Sequence, residues 1–336
     1  MSNTIQSISP TPLPALPKSW SELSWHQLTQ VWEVKLRYGG NPDVARAAAL
    51  MALCGLEHVE TPESRYNDYG ETVYHLRGSK GGLFSTTARE LSYYAKQALP
   101  WFDFPYGDQG EKEVTDDRGK VIKERREGVS GYVSPMRDAM ILPQTEIEID
   151  GALFSLPQAA CNNLTWEQYR ALQVIVPQLF SNLDGEASAT AVLDIQAQFM
   201  AHCLVPAQVS IDINDRFSPP HSFKYNSQRA EQTIPFWRVQ LPCCPTLFHI
   251  CFQTYQTALS YYYAAYPLLF SDGKTDTMKD ALQGEVGTIN AIMMEAKYTN
   301  QQEVYDSNLP FIFDILNTMA KKAHEIEKMN AKIKKK

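Results

Sequence analysis

The chain has 336 residues, 44 % hydrophobic and 21 % charged, with 31 lysines and arginines against 38 aspartates and glutamates for a net charge of -7. With a mean hydropathy of -0.33, this suits a folded chain of about two domains and excludes disordered, collagenous and fibrous classes. No run approaches the roughly 20 apolar residues of a membrane span, no basic-then-apolar leader opens the chain, and the acidic balance argues against nucleic acid or membrane as partner. A soluble, cytoplasmic protein is expected.

Residues 1–18 carry Pro10, Pro12, Pro14 and Pro17 among Ser and Thr, the composition of an extended arm. Ser24 then stands as N-cap before a helix to Tyr38, with Trp25, Leu28, Val31, Trp32 and Leu36 on one face and Gly39-Gly40 as its stop. Asn41-Pro42-Asp43 starts a second, alanine-rich helix that is expected to reach Leu56. Residues 59–85 read as irregular structure or a short ribbon, including Gly78-Ser79-Lys80-Gly81-Gly82, a flexible turn rather than a phosphate loop. Thr87 opens a helix that Pro100 ends. Residues 107–143 form a charged hairpin and linker, Lys112-Glu113-Val114 facing Val121-Ile122-Lys123 across Asp117-Arg118-Gly119.

Thr145–Ile149 and Ala152–Leu156 alternate around Asp150-Gly151, the favoured pair of a two-residue type I′ hairpin. Glu146, Glu148 and Asp150 are read as an exposed strand edge rather than a cation site. Leu164-Thr165-Trp166 opens the next helix. Residues 205–240 read as an insertion with strand-like Val209–Ile213 and a turn at Pro219-Pro220, whose Asp212, Asn214 and Asp215 are taken as turn residues. Gly284–Asn290 leads into a short apolar helix, and Ser307-Asn308-Leu309-Pro310 caps a long one. On that helix Ile312, Leu316, Met319, Ala323, Ile326, Asn330 and Ile333 are spaced alternately four and three apart, an a/d seam of nearly three heptads with a register-setting asparagine. The seam serves equally an oligomerisation helix or a helix docked on its own domain.

Landmarks recur in order along the chain. Leu16-Pro17 with Leu23-Ser24-Trp25-His26-Gln27 is echoed by Leu156-Pro157 with Leu164-Thr165-Trp166-Glu167-Gln168. Ala52-Leu53-Cys54 is echoed by Ala201-His202-Cys203, and Leu91-Ser92-Tyr93-Tyr94 by Leu259-Ser260-Tyr261-Tyr262. The expected architecture is therefore mainly α with minor β-hairpins. It comprises a flexible arm (1–18), helical half 1 (19–106), the charged hairpin and linker (107–143), a β-hairpin plus helical half 2 (144–272) and a C-terminal helical extension (273–336).

The six cysteines, without a signal peptide, are read as free thiols. Cys243, Cys244, His249 and Cys251 cluster in sequence, but a helix from Thr246 sets His249 and Cys251 about 200° apart around its axis, which argues against zinc. No nucleophile elbow, metalloprotease, P-loop or dinucleotide motif occurs, so neither a catalytic residue, a metal nor a cofactor is assigned. Two features point to protein binding. Tyr255, Tyr261, Tyr262, Tyr263, Tyr266 and Phe270, with Phe236 and Trp237 upstream, are rich in rings that pack on one side and stay wet on the other. Of these Tyr255, Tyr262 and Tyr266 are candidate partner contacts, together with the seven seam residues. The tail from Lys321 holds seven lysines against two glutamates, read as a solvated helix end that suits the helix dipole.

The hairpin, Leu-Pro and Leu-Thr-Trp-x-Gln-Tyr run from Thr145 to Leu172, and the stretch Gly284–Lys336 around Gln301–Pro310, resemble proteins of the tail-assembly regions of temperate phages and prophages. The resemblance covers about a third of the chain, which is longer than small tail-assembly chaperones. It implies a non-enzymatic adaptor or chaperone that binds a tail component in the bacterial cytoplasm; homo-oligomerisation through the C-terminal helix is the expectation of the heptad seam. The alternatives are a structural subunit of the tail or neck, which would place the protein in the virion, and an unrecognised enzyme assembled from distant segments.

Overall fold

The computed structural model describes residues 16–38, 40–59, 66–67, 69–78, 82–102, 111–115, 121–125, 142–183, 188–209, 221–270 and 285–333. The protein is mainly helical with minor antiparallel β-structure, and its contacts separate two compact units, Met1–Val133 and Ser134–Lys336. Most of the proline-rich arm and the Asp212, Asn214 and Asp215 turn lie outside the described residues.

In the first unit a 3-10 turn (Trp20–Glu22) leads into α1 (Trp25–Tyr38), which packs on α2 (Pro42–Cys54). Leu28, Val31 and Trp32 are buried as the helical periodicity expects, whereas Leu36 is exposed. The Asn41 side chain accepts from the Val44 N–H, and Pro42 takes the first turn, where its missing N–H costs nothing. α2 ends at Cys54 rather than Leu56, because Gly55 adopts the left-handed conformation at φ 60° and closes the helix. Leu56 is then free to begin β1 (Leu56–Val59). It pairs with β2 (Val73–Gly78), which pairs with β3 (Leu83–Thr87), so the region read as irregular structure or a short ribbon is a three-stranded antiparallel meander. Thr87 passes straight from β3 into a capping box with Glu90 and opens α3 (Ala88–Ala98). α3 packs on α2, and Asp43 of α2 is paired to both Arg46 and Lys96.

The core of this unit is aromatic. Trp20 Nε1 donates to the Trp101 carbonyl at 2.9 Å, and Trp101 Nε1 donates to the Pro17 carbonyl at 2.8 Å. The Lys35 ammonium lies over the rings of Trp20, Trp32 and Phe102 and donates to the Phe102 carbonyl at 3.1 Å, a cation–π arrangement that lets a charged stem cover apolar rings. Beyond it β4 (Glu111–Thr115) and β5 (Val121–Arg125) form the expected charged hairpin, Val114 opposite Ile122.

The second unit opens with the β6 (Glu146–Ile149) and β7 (Ala152–Ser155) hairpin. Asp150 at φ 50° and Gly151 at φ 75° form its turn, with Ile149 opposite Ala152. Glu146 and Glu148 face solvent while Ile147 and Ile149 are half-buried. β8 (Val205–Pro206) adds to β7 as a third strand. A second 3-10 turn (Ala159–Cys161) precedes α4 (Trp166–Leu183), which packs on α5 (Ala189–Cys203). β9 (Gln208–Val209) pairs with β10 (His221–Ser222), and α6 (Ser227–Gln240) packs on α5. The stretch read as an insertion thus contains a whole helix, running through Pro235. α7 (Pro245–Ala265) crosses the core with Ile250, Cys251, Tyr255, Ala258 and Tyr262 buried. The short α8 (Pro267–Phe270), α9 (Glu285–Ala296), α10 (Gln301–Tyr305) and α11 (Leu309–Ile333) complete the unit.

The first turns of α11 belong to this core. Phe313 sits among Trp166, Tyr169, Tyr262, Tyr266 and Phe270, with ring centroids 4.9–6.3 Å apart. The recurring Leu-[Ser/Thr]-Trp-x-Gln landmarks open α1 and α4, and the Cys54 and Cys203 landmarks close α2 and α5. The third pair falls on elements of different order: α3 is the first helix after its strands, α7 the second after its own.

Candidate partner-binding surface

Two segments distant in sequence, around Thr165 and around Asn308, meet in the second unit. Leu164-Thr165-Trp166 runs antiparallel to Ser307-Asn308-Leu309: Trp166 N–H donates to the Ser307 carbonyl and Leu309 N–H to the Leu164 carbonyl, both at 2.8 Å. Each strand-like piece is also a helix start, so the orphan N–H groups of α4 and α11 are partly met by each other's backbone. Thr165 and Gln168 add a reciprocal capping box, and the Gln168 amide reaches across to the His202 carbonyl at the end of α5.

Beside this junction the surface turns apolar and amide-rich. Gln158, Asn162, Asn163, Asn308, Pro310 and Phe311 line an open depression of about 400 Å³. Asn163 is committed to structure, accepting from the Gln158 N–H and donating to the Leu156 carbonyl. Phe311 is 47 % exposed and its ring lies 6.3 Å from that of Tyr298, whose hydroxyl bonds Ser307 at 2.7 Å. On α9, Met294 is 82 % exposed. Such apolar groups among amides can accept a partner's apolar side chains while satisfying polar backbone at the rim. Neither Met294 nor Phe311 was singled out from sequence, because both lie off the heptad seam. The signal available was the Pro310-Phe311 pair at a helix start, where Ile312 next to it already fills the inward position.

The sequence-derived contact residues divide between core and surface. Tyr255 and Tyr262 are buried, so they are not surface contacts. Tyr255 accepts from the Gln173 amide and Tyr262 donates to the Ala160 carbonyl at 2.7 Å. That carbonyl belongs to a turn in which Ala160 and Cys161 both have φ 52°, and the tyrosine braces it. Tyr266 is half-buried and donates to Asp314 at 2.6 Å, its pKa pushed up by burial and by that carboxylate. Of the seam, Ile312 is buried, Leu316 and Met319 are half-buried, and Ala323, Ile326 and Asn330 are exposed; Ile333 is helical in backbone. The proximal seam is therefore a docked face, and only its distal end stands open. The most exposed tyrosines lie in the first unit, Tyr69 at 90 % and Tyr66 at 63 %, while in the second unit Tyr263 is 45 % exposed.

Cys161, Cys203 and Cys251 are buried together; burial raises the Cys161 thiol, and a hydrogen bond with Cys203 together with burial raises the Cys251 thiol, both well above the ordinary range. Protonated buried thiols are inert, small apolar fillers. Cys243 and Cys244, immediately before α7, are exposed. Among the described residues no group of three or more His, Cys, Asp or Glu side chains is placed to hold a metal ion, and no helix is long and apolar enough to cross a membrane. Compared with protein-family models, curated proteins and solved structures, the chain matches none.

Proposed function

We propose that the protein is a non-enzymatic protein-binding factor of phage particle assembly, an adaptor or chaperone that holds a tail component in the bacterial cytoplasm. The observation that carries this reading is Phe311, 47 % exposed on the lining of the amide-rich depression, with Met294 of α9 82 % exposed. An exposed aromatic ring lining a depression among amides offers a partner's apolar side chain a seat with polar groups at its rim. Phe311 adjoins the junction of the two segments on which the resemblance rests. A structural subunit of the tail is the second reading, favoured by the outward end of α11.

The test is co-expression of the tagged protein with the tail genes of its prophage, followed by identification of captured proteins and of purified particles. Capture of one tail component, lost in a Met294→Asp, Phe311→Ala variant and absent from mature particles, supports the adaptor. Stoichiometric presence in particles makes it a subunit, and capture indifferent to both substitutions removes this surface from the account.

A further inference from the structure

Every residue from 321 to 330 of α11 is exposed, including Ile326 at 57 % and Met329 at 59 %. A solvated helix end of so few turns has little stability of its own, and apolar side chains along it ask for a cover. In heptad register Leu316, Ala323 and Asn330 take a, and Ile312, Met319, Ile326 and Ile333 take d. Lys322 and Met329 take g, Glu327 takes e, and Lys321, Lys328 and Lys335 take f. The second unit already covers Ile312 and half-covers Leu316 and Met319, so the open seam begins at Ala323.

We propose that this distal segment pairs with the same segment of a second copy of the chain, parallel and in register, as a short two-stranded coiled coil. Charge selects the arrangement. In a parallel pair Lys322 at g comes beside Glu327 at e of the second copy, five residues on. An antiparallel pair centred on the same segment sets Glu327 against Glu327 and Lys322 against Lys336. Lys322 is also paired with Glu295 of its own chain, at 2.5 Å. The polar seam residue points the same way. Parallel strands place Asn330 opposite Asn330, where the two amides bond each other, whereas the antiparallel arrangement strands the amide against Ile326. The f-position lysines face away from the partner helix, and salt screens their surplus charge beyond about 8 Å at physiological ionic strength. This pairing uses only the chain itself and stands whether or not a tail component is the partner.

Sedimentation velocity of the purified full-length protein between about 1 and about 100 µM tests it. A monomer–dimer equilibrium is expected, and Ile326→Asp, at an exposed position that leaves the fold intact by circular dichroism, weakens it by about tenfold or more. Asn330→Leu tightens association and shifts it toward larger assemblies. Asn330→Cys, with Cys243 and Cys244 replaced by serine, cross-links the two copies under mild oxidation through the thiols introduced at that position. A protein that stays monomeric throughout, or a dimer indifferent to Ile326→Asp, overturns the proposal. Ready dimerisation without cross-linking of the Asn330→Cys variant overturns the parallel register.

Discussion

Gly151, at φ 75° beside Asp150 at φ 50°, shows how much one residue decides locally. Both central positions of the β6–β7 turn need positive φ, and a Cβ built on Gly151 meets nothing within 4 Å. Gly151→Ala therefore costs backbone strain alone, about 1 kcal/mol, seen as a lower urea midpoint at unchanged slope. His202 makes a different kind of prediction. Its Nδ1 lies 2.6 Å from the Tyr225 hydroxyl in a buried pair, and burial lowers the imidazole pKa, partly opposed by the Glu231 charge. Unfolding returns the ring to its ordinary 6.5, where it takes up a proton that the folded state resists. Stability is thus full above that value and falls as pH drops through it. His249, lowered by burial, acts in the same direction. His202→Asn should cost about 1–2 kcal/mol at neutral pH and shrink the difference in Tm between neutral and mildly acidic solution; an undiminished difference would assign the pH dependence elsewhere.

At the scale of elements, the same capping device recurs with unequal weight. Ser24 and Gln27 open α1 with reciprocal bonds of 2.9 and 3.3 Å, and Thr165 and Gln168 open α4 with 3.0 and 3.3 Å. Gln27 does only this, whereas Gln168 is buried and also donates to the His202 carbonyl, so one side chain caps the start of α4 and the end of α5. Gln27→Ala should cost about 1 kcal/mol and Gln168→Ala about 2–3 kcal/mol, measured by chemical denaturation. Equal costs would mean that the bridge to His202 contributes nothing. These helix starts were legible because an N-cap, an apolar residue before it and a glutamine three residues on are local signals. α6 was not, because Pro235 stands in its middle and reads as a breaker. Its fold comes from packing on α5, with Ala230 and Trp237 buried. The β1–β3 meander was similarly obscured by the residues between β1 and β2, since its pairing joins positions 16 to 22 residues apart.

On the scale of the molecule, the extension read as a separate C-terminal piece is core to the second unit, through Phe313 and the Leu309–Leu164 backbone bond. A fragment spanning Ser134–Lys336 should therefore fold alone with one cooperative transition by circular dichroism, and truncating it before Leu309 should abolish that transition. A fragment that melts without cooperativity would show that the unit depends on the rest of the chain. By itself the sequence determined the starts of α1, α2, α3, α4 and α11, the type I′ hairpin, the mainly helical class and the apolar stripe of α11, because each follows from neighbours along the chain. Only the tertiary structure decided that Tyr255 and Tyr262 are core, that three cysteines from three elements share one buried site, and that the stripe is docked near Ile312 and open from Ala323. An amphipathic pattern dictates that a face be covered, and which surface covers it depends on elements distant in sequence.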